Sequence, residues 1–309
     1  MSNPVCLVSG SSSGIGAATV RQFAAHGYDV AINYHSGPER AERVAAEIRE
    51  TLRVAAITVA ADLSQPSEPF RLVDAAWEHF GRLDVVVSNS GVANFVPDEG
   101  GRPARYRFHE TPVEHLGREM ARVLDLNLLG AYRLAQRALQ RMMAQAEAER
   151  AAGRAPSHRS ILFITSVSDV APDSFRVPYG VSKAGLHHAV LGAALEGGPH
   201  SVTVNALRPG VVDTPLTART SGVTDPADGH ELTVAEVYGL MALGGSQPIR
   251  RIGTPQEIAA AAYAFTQVPY MTGQLIAVDG GFTLSSGFSN RELFLQEGLR
   301  RRHQAMPRP

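Results

Sequence analysis

Apolar residues along the chain fall into two recurring patterns. Short runs, mostly β-branched, occur at Val5 to Val8, Val30 to Ile32, Ala55 to Ala60, Val85 to Val87, Ile161 to Ile164, Val202 to Leu207 and Leu275 to Val278. Each is brief and unbroken, as strands buried on both faces of a parallel sheet are. Between them lie segments with apolar residues at helical spacing, including Ala17 to Ala25, Ala41 to Arg49, Phe70 to His79 and Tyr179 to Leu195. Amphipathic helices of this kind supply the crossovers that parallel strands require. The alternation predicts a single α/β domain: a Rossmann-like, doubly wound parallel sheet with helices on both faces.

Four stretches read as additions to that plan: residues 97–112, the Ala/Glu/Arg-rich 144–158, residues 218–246 and the tail from Ser285. The expected organisation is one main domain over 1–284, with a lid over residues 215–247, and a C-terminal extension over 285–309.

Composition narrows the picture. Hydrophobic residues make up 44% of the chain and charged residues 19%, enough apolar side chain for a large core. A formal net charge of -1 gives no broad positive field for a phosphate backbone, so nucleic acid is not an expected partner. The cluster Arg300, Arg301 and Arg302 reads as a solvated chain end. Cys6 is the only cysteine, which excludes an intramolecular disulfide and points to a reducing compartment, with the cytoplasm as default. No uninterrupted apolar run reaches the roughly 18 residues of a membrane span.

Chemistry enters at the first strand. Ser9-Gly10-Ser11-Ser12-Ser13-Gly14-Ile15-Gly16 follows it and leads at once into a helix. Glycines let a pyrophosphate approach the backbone, and a helix start presents unpaired N–H groups to anionic oxygens. A dinucleotide site is expected at Gly10, Ser12, Ser13, Gly14, Ile15 and Gly16. An NAD-binding protein would carry a carboxylate about 20 residues further on, for the ribose 2′-hydroxyl. Here the second strand ends Asn33-Tyr34-His35-Ser36, with no carboxylate, and Arg40 follows. NADP(H) is therefore favoured, with NAD(H) the alternative, and Tyr34, His35 and Ser36 are the expected contacts.

Tyr179-Gly180-Val181-Ser182-Lys183 opens a helix, so Tyr179 and Lys183 project from one face. An unperturbed tyrosine titrates near pH 10, and a neighbouring ammonium would favour its phenolate, suiting it to proton transfer. Ser166 lies just past the strand Ile161 to Ile164, at a carboxyl edge where ligands collect, and its hydroxyl could polarise a carbonyl. His187 and His188 follow on the same helix with no accompanying ligand cluster, so they read as packing or interface residues and no metal is expected.

In combination these motifs resemble the classical short-chain dehydrogenase/reductase family, whose glycine turn has the spacing of Gly10, Gly14 and Gly16. The resemblance spans nearly the whole chain. It implies adenine contact at Asp62-Leu63 and a strand-end motif at Ser88-Asn89-Ser90-Gly91, which departs from the family's N-N-A-G at Ser88 and Ser90. The same likeness implies a relay water supported by Asn127, and a nicotinamide-side loop at Pro209-Gly210-Val211-Val212-Asp213-Thr214, with Val212 and Thr214 on the carboxamide. Catalysis is expected from Asn127, Ser166, Tyr179 and Lys183, and cofactor contact also from Asn89, Ser90, Gly91, Tyr179, Lys183, Pro209 and Gly210.

The family habit further implies a strand order of 3-2-1-4-5-6-7, a homotetramer or homodimer, and a small-molecule carbonyl or alcohol substrate. The pattern is most similar to reductases of the 3-oxoacyl-carrier-protein type. A regulatory dinucleotide-binding protein without turnover and a redox-neutral epimerase or lyase are the alternatives on the same fold.

Overall fold

A computed structural model describes residues 2–93, 106–173, 175–285 and 290–305. The apolar runs form strands β1 (Val5–Val8), β2 (Asp29–Tyr34), β3 (Ala56–Ala60), β4 (Val85–Ser88), β5 (Arg159–Ile164) and β6 (Val202–Pro209). After an antiparallel hairpin, β7 (Thr220–Thr224) and β8 (Glu231–Thr233), comes β9 (Leu275–Val278). The main sheet is parallel and seven-stranded, in the order β3-β2-β1-β4-β5-β6-β9. With β9 as its seventh member, this is the expected order.

Alternation along each strand divides the core. Val5 and Leu7 face one layer, where helices α3 (Glu68–Phe80), α5 (Ala131–Ala151) and α6 (Val177–Gly197) pack. Cys6 and Val8 face the other, with α1 (Gly14–Ala25), α2 (Pro38–Thr51) and α8 (Pro255–Thr266). Cys6 is fully buried there. The start of α8 is set by a capping box, in which Thr254 and Glu257 satisfy each other's backbone amides, with Pro255 in the first turn. Among the described residues, no helix is long and apolar enough to cross a membrane.

The additions resolve unequally. Residues 97–105 lie outside the described residues. Residues 144–151 are not an insertion loop but the last turns of α5, because their Ala/Glu/Arg composition favours helix. Helix α4 (Val113–Val123) runs into α5 through a π-helical turn, Leu124–Gly130, that contains Asn127.

Residues 218–246 hold the β7–β8 hairpin and α7 (Val234–Met241), which is started by a Thr233–Glu236 capping box. The tail forms α9 (Arg291–Ala305), whose Phe294, Leu295 and Leu299 pack on a small core made by Leu232, Val237, Tyr238, Leu240 and Met241. The fit is backbone to backbone. A Cβ on Gly298 would collide with the Leu240 carbonyl, and one on Gly244 with the Phe294 carbonyl.

Arg302 corrects the reading of the arginine cluster as a solvated end. It pairs with Asp225, whose side chain is 0% exposed, and the His303 ring stands 3.4 Å from the same carboxylate. A buried carboxylate needs a cation, and this one is supplied from the tail.

Candidate active site

The site begins where β1 ends. Gly10 turns the chain with φ at +61°, a conformation that favours glycine. Its amide donates to Asn33 Oδ1 at 2.9 Å, while the Ser11 amide donates to the Asn33 carbonyl at 2.8 Å. The Asn33 side-chain amide is in turn anchored by donation to the carbonyls of Val59 and Ala61, each at 3.2 Å. Gly16 sits beneath the turn, where a Cβ would come within 2.5 Å of the Gly10 carbonyl and 2.7 Å of Asn89 Nδ2.

Ser9 Oγ accepts from the amides of Asn89 and Ser90, both at 2.9 Å, tying the ends of β1 and β4 together. At the start of α1, Ser13 makes no side-chain cap and the first turn holds no acidic residue. Its amides are therefore left to an anion from outside the chain. A glycine cradle of this shape fits the pyrophosphate of a dinucleotide.

The turn opens into a cleft of about 590 Å³ along the carboxyl edge of the sheet. At one end lie Tyr34, His35, Ser36, Arg40, Asp62 and Leu63. His35 Nε2 is 3.8 Å from the Asp62 carboxylate. Burial works against ionisation of Asp62, but hydrogen bonds from Ser64 and the nearby His35 hold its carboxyl below the ordinary value. The other expected cofactor contacts also line the cleft, except Gly16, which is buried behind its wall. Asn127, expected among the catalytic residues, is likewise buried and does not line it.

Ser166, Tyr179 and Lys183 meet in the middle. Ser166 is placed by the end of β5 and accepts from the Ser168 amide at 3.1 Å. The Lys183 ammonium donates to the Ile164 carbonyl at 3.2 Å and lies 5.7 Å from the centre of the Tyr179 ring. Burial lowers its pKa to about 8, against the opposing charge of Asp169.

The tyrosine departs from the sequence-based expectation. Burial pushes Tyr179 above its ordinary value, opposed by a hydrogen bond with Ser166 and by the positive charge of Arg176. Desolvation of the phenolate outweighs both, so Tyr179 is not brought below its ordinary value as a neighbouring ammonium was expected to bring it. Asn127 Oδ1 accepts from the Val92 amide at 2.8 Å, and its Nδ2 donates to the Val92 carbonyl at 2.9 Å and to Ser182 Oγ at 3.2 Å. Its side chain thus ties the wall at Val92 to helix α6.

Beyond Tyr179 the cleft has residues that motif reading did not find: Phe175, Arg176, Arg219, Val234, Tyr238 and Arg291. Arg176 donates to Asp173 at 3.0 Å and to the Tyr238 hydroxyl at 2.8 Å, linking the approach to α6 with α7. Its position three residues ahead of Tyr179 was the one available signal. The contact with Tyr238 spans 62 residues and depends on packing alone.

Comparison with known proteins agrees with this architecture. A family model described as enoyl-(acyl carrier protein) reductase matches residues 10–283. A protein named as a ketoacyl reductase of the granaticin polyketide synthase of Streptomyces violaceoruber is 32% identical over 278 residues, covering 90% of this chain and 95% of its own. The 3beta-hydroxysteroid dehydrogenase 1 of Eggerthella lenta is 31% identical over 284 residues, 91% of this chain and 94% of that one.

Among solved structures, a 3-oxoacyl-[acyl-carrier protein] reductase from Brucella melitensis, in complex with NAD, superposes with a TM-score of 0.76 at 28% identity, covering 92% of this chain and 99% of that one. The family match runs from the glycine turn at Gly10 past the end of β9. The chain belongs to the classical short-chain dehydrogenase/reductase family and is an oxidoreductase acting on CH–OH groups with a nicotinamide dinucleotide.

Proposed function

We propose that the chain reduces a ketone or 3-oxoacyl compound to a secondary alcohol with NADPH, and that Tyr179 exchanges the proton. The observation that carries this reading is the meeting of Ser166, Tyr179 and Lys183 in one cleft with the glycine cradle. When bound, the nicotinamide supplies hydride to the carbonyl carbon. Tyr179, kept protonated by its burial, donates to the carbonyl oxygen, and the Ser166 hydroxyl holds that oxygen in place.

Lys183 is held under β5 by the Ile164 carbonyl, where it can bind the nicotinamide ribose. Asn127 acts as a positioning residue through the Val92 wall. The loop after β6 is braced by Thr217, whose hydroxyl accepts from the Thr214 amide at 3.0 Å and donates to the Val212 carbonyl at 2.9 Å, and it would carry the carboxamide contacts.

Preference for NADPH is supported by the end of β2, where Tyr34, His35, Ser36 and Arg40 line the cleft without a carboxylate among them. Residues 215–247 serve as the lid, with Tyr238 reaching the cleft. Exposed Leu129 and Tyr132, at the π-helical turn and the start of α5, suit a helix-to-helix contact between copies in a homodimer or homotetramer.

The test is loss of reduced-nicotinamide absorbance with NADPH or NADH across ketones, β-ketoacyl thioesters and quinones. Consumption of NADPH but not NADH is the expected result. The reverse preference overturns the cofactor assignment, and no turnover with either across the panel overturns the reductase reading.

A further inference from the structure

The far end of the cleft carries more positive charge than carbonyl reduction requires. Arg176, on the approach to α6, and Arg291, on helix α9, meet there at the Tyr238 ring, and Arg219 of the lid lines the same cleft. Among the described lining residues the carboxylates are Asp62, at the adenosine end, and Asp173, which is engaged by Arg176 at 3.0 Å. Neither Arg219 nor Arg291 has a carboxylate partner among the described residues.

Arg291 is nonetheless held in place. Its guanidinium carbon lies 5.6 Å from the centre of the Tyr238 ring, and that of Arg176 lies 5.9 Å from the same ring. Cation–π attraction to a ring face consumes none of a guanidinium's N–H donors, whose planar fork suits a carboxylate or phosphate. The helix bearing Arg291 is itself fixed, by the Gly298 and Gly244 contacts and by Arg302 on Asp225.

We propose that Arg291, with Arg219 as a second cation, binds an acidic group on the substrate, so that the compound reduced or oxidised is an anionic one carrying a carboxylate or phosphate. The proposal rests on the carbonyl–alcohol chemistry set out above. The reacting carbon would lie at Tyr179 and Ser166, and the acidic group toward Tyr238. Arg291 then determines specificity without touching the reacting atoms.

Two measurements on the full chain test it. In the first, protein saturated with NADP+ or NAD+, whichever it binds, is titrated calorimetrically with succinate and, separately, with inorganic phosphate. At least one should bind, which also tells carboxylate from phosphate. Arg291→Leu should weaken that binding by about tenfold or more, and Arg291→Lys by less. Absence of binding by both anions, or equal binding by wild type and Arg291→Leu, overturns the proposal. An unchanged thermal midpoint for Arg291→Leu excludes undocking of α9 as the cause.

In the second, kcat/KM is compared for acetoacetate and ethyl acetoacetate. The acid should be favoured, and Arg291→Leu should lose about tenfold or more on it through KM while leaving the ester within about twofold. A preference for the ester, or an equal loss on both, overturns the proposal. Anion binding that depends on Arg291 in a protein that turns over no carbonyl would sustain the anion site and sink the reductase reading instead.

Discussion

Asn33 accepts a hydrogen bond from the Gly10 amide at 2.9 Å through its side-chain oxygen, so the end of the second strand fixes the shape of the first turn. Asn33 is buried, and its amide group also donates to two carbonyls at the end of β3 and just past it. Asn33→Ala leaves those groups without partners, at a cost of about 1–3 kcal/mol. We predict a lower thermal midpoint and weaker cofactor binding, with kcat at saturating cofactor less affected. Cofactor titration followed by fluorescence checks this, and unchanged affinity would separate Asn33 from the cradle.

Tyr179→Phe keeps the ring and removes the proton. Turnover should fall by roughly 10²–10⁴, the usual contribution of a general acid, while cofactor affinity stays near that of the wild type. Because burial holds the phenol above its ordinary value, reduction should persist into moderately alkaline solution and alcohol oxidation should accelerate as pH rises. Parallel pH profiles in the two directions would contradict the assignment.

Lys183 gives a prediction about stability. Its pKa in the folded protein is about 8, below the ordinary value of about 10.4, so between those two pH values the unfolded chain binds a proton that the folded chain has lost. Stability therefore gains from this group as pH rises through that window, and below it the folded state carries the full cost of a buried ammonium. Lys183→Met should abolish most turnover yet stabilise the cofactor-free protein at pH 7 by about 1–3 kcal/mol, less what the Ile164 hydrogen bond contributes. Urea melts at pH 7 and pH 9.5 should show the advantage shrinking at the higher pH.

Removal of the chain from Asn290 onward takes away Arg291 and uncovers Leu232 and Met241, both fully buried. Substrate KM should rise by about tenfold or more, with cofactor affinity unchanged, and the midpoint should fall. Steady-state kinetics across several substrates decide it: identical constants would place the tail outside the active site.

The parts of this molecule legible in its sequence are those encoded locally. Seven apolar runs become the main sheet because a strand buried on both faces leaves an unbroken signature, and no boundary moved by more than two residues. Tyr179, Lys183 and Ser166 were legible because helix pitch and a strand end place them. The β7–β8 hairpin was not, since it is short and mostly polar.

Asn33 could have been recognised as a polar residue closing an apolar strand, whereas Arg176, Tyr238 and Arg291 meet only through packing of distant segments. The triple arginine misled for a related reason. Charge alone says solvent, and a buried acceptor such as Asp225 is invisible until the chain has folded.

Gly298 against Leu240, and Gly244 against Phe294, leave no side chain to act as a spacer between tail and lid. A joint of that kind cannot be adjusted by exchanging one apolar residue for another; it either closes or fails. Diversification of substrate range by substitution would therefore leave the angle of the joint untouched and act on what the first turn of α9 presents to the cleft. Position 291 becomes the natural address for redesign, a site where chemistry can be exchanged while the mounting stays fixed.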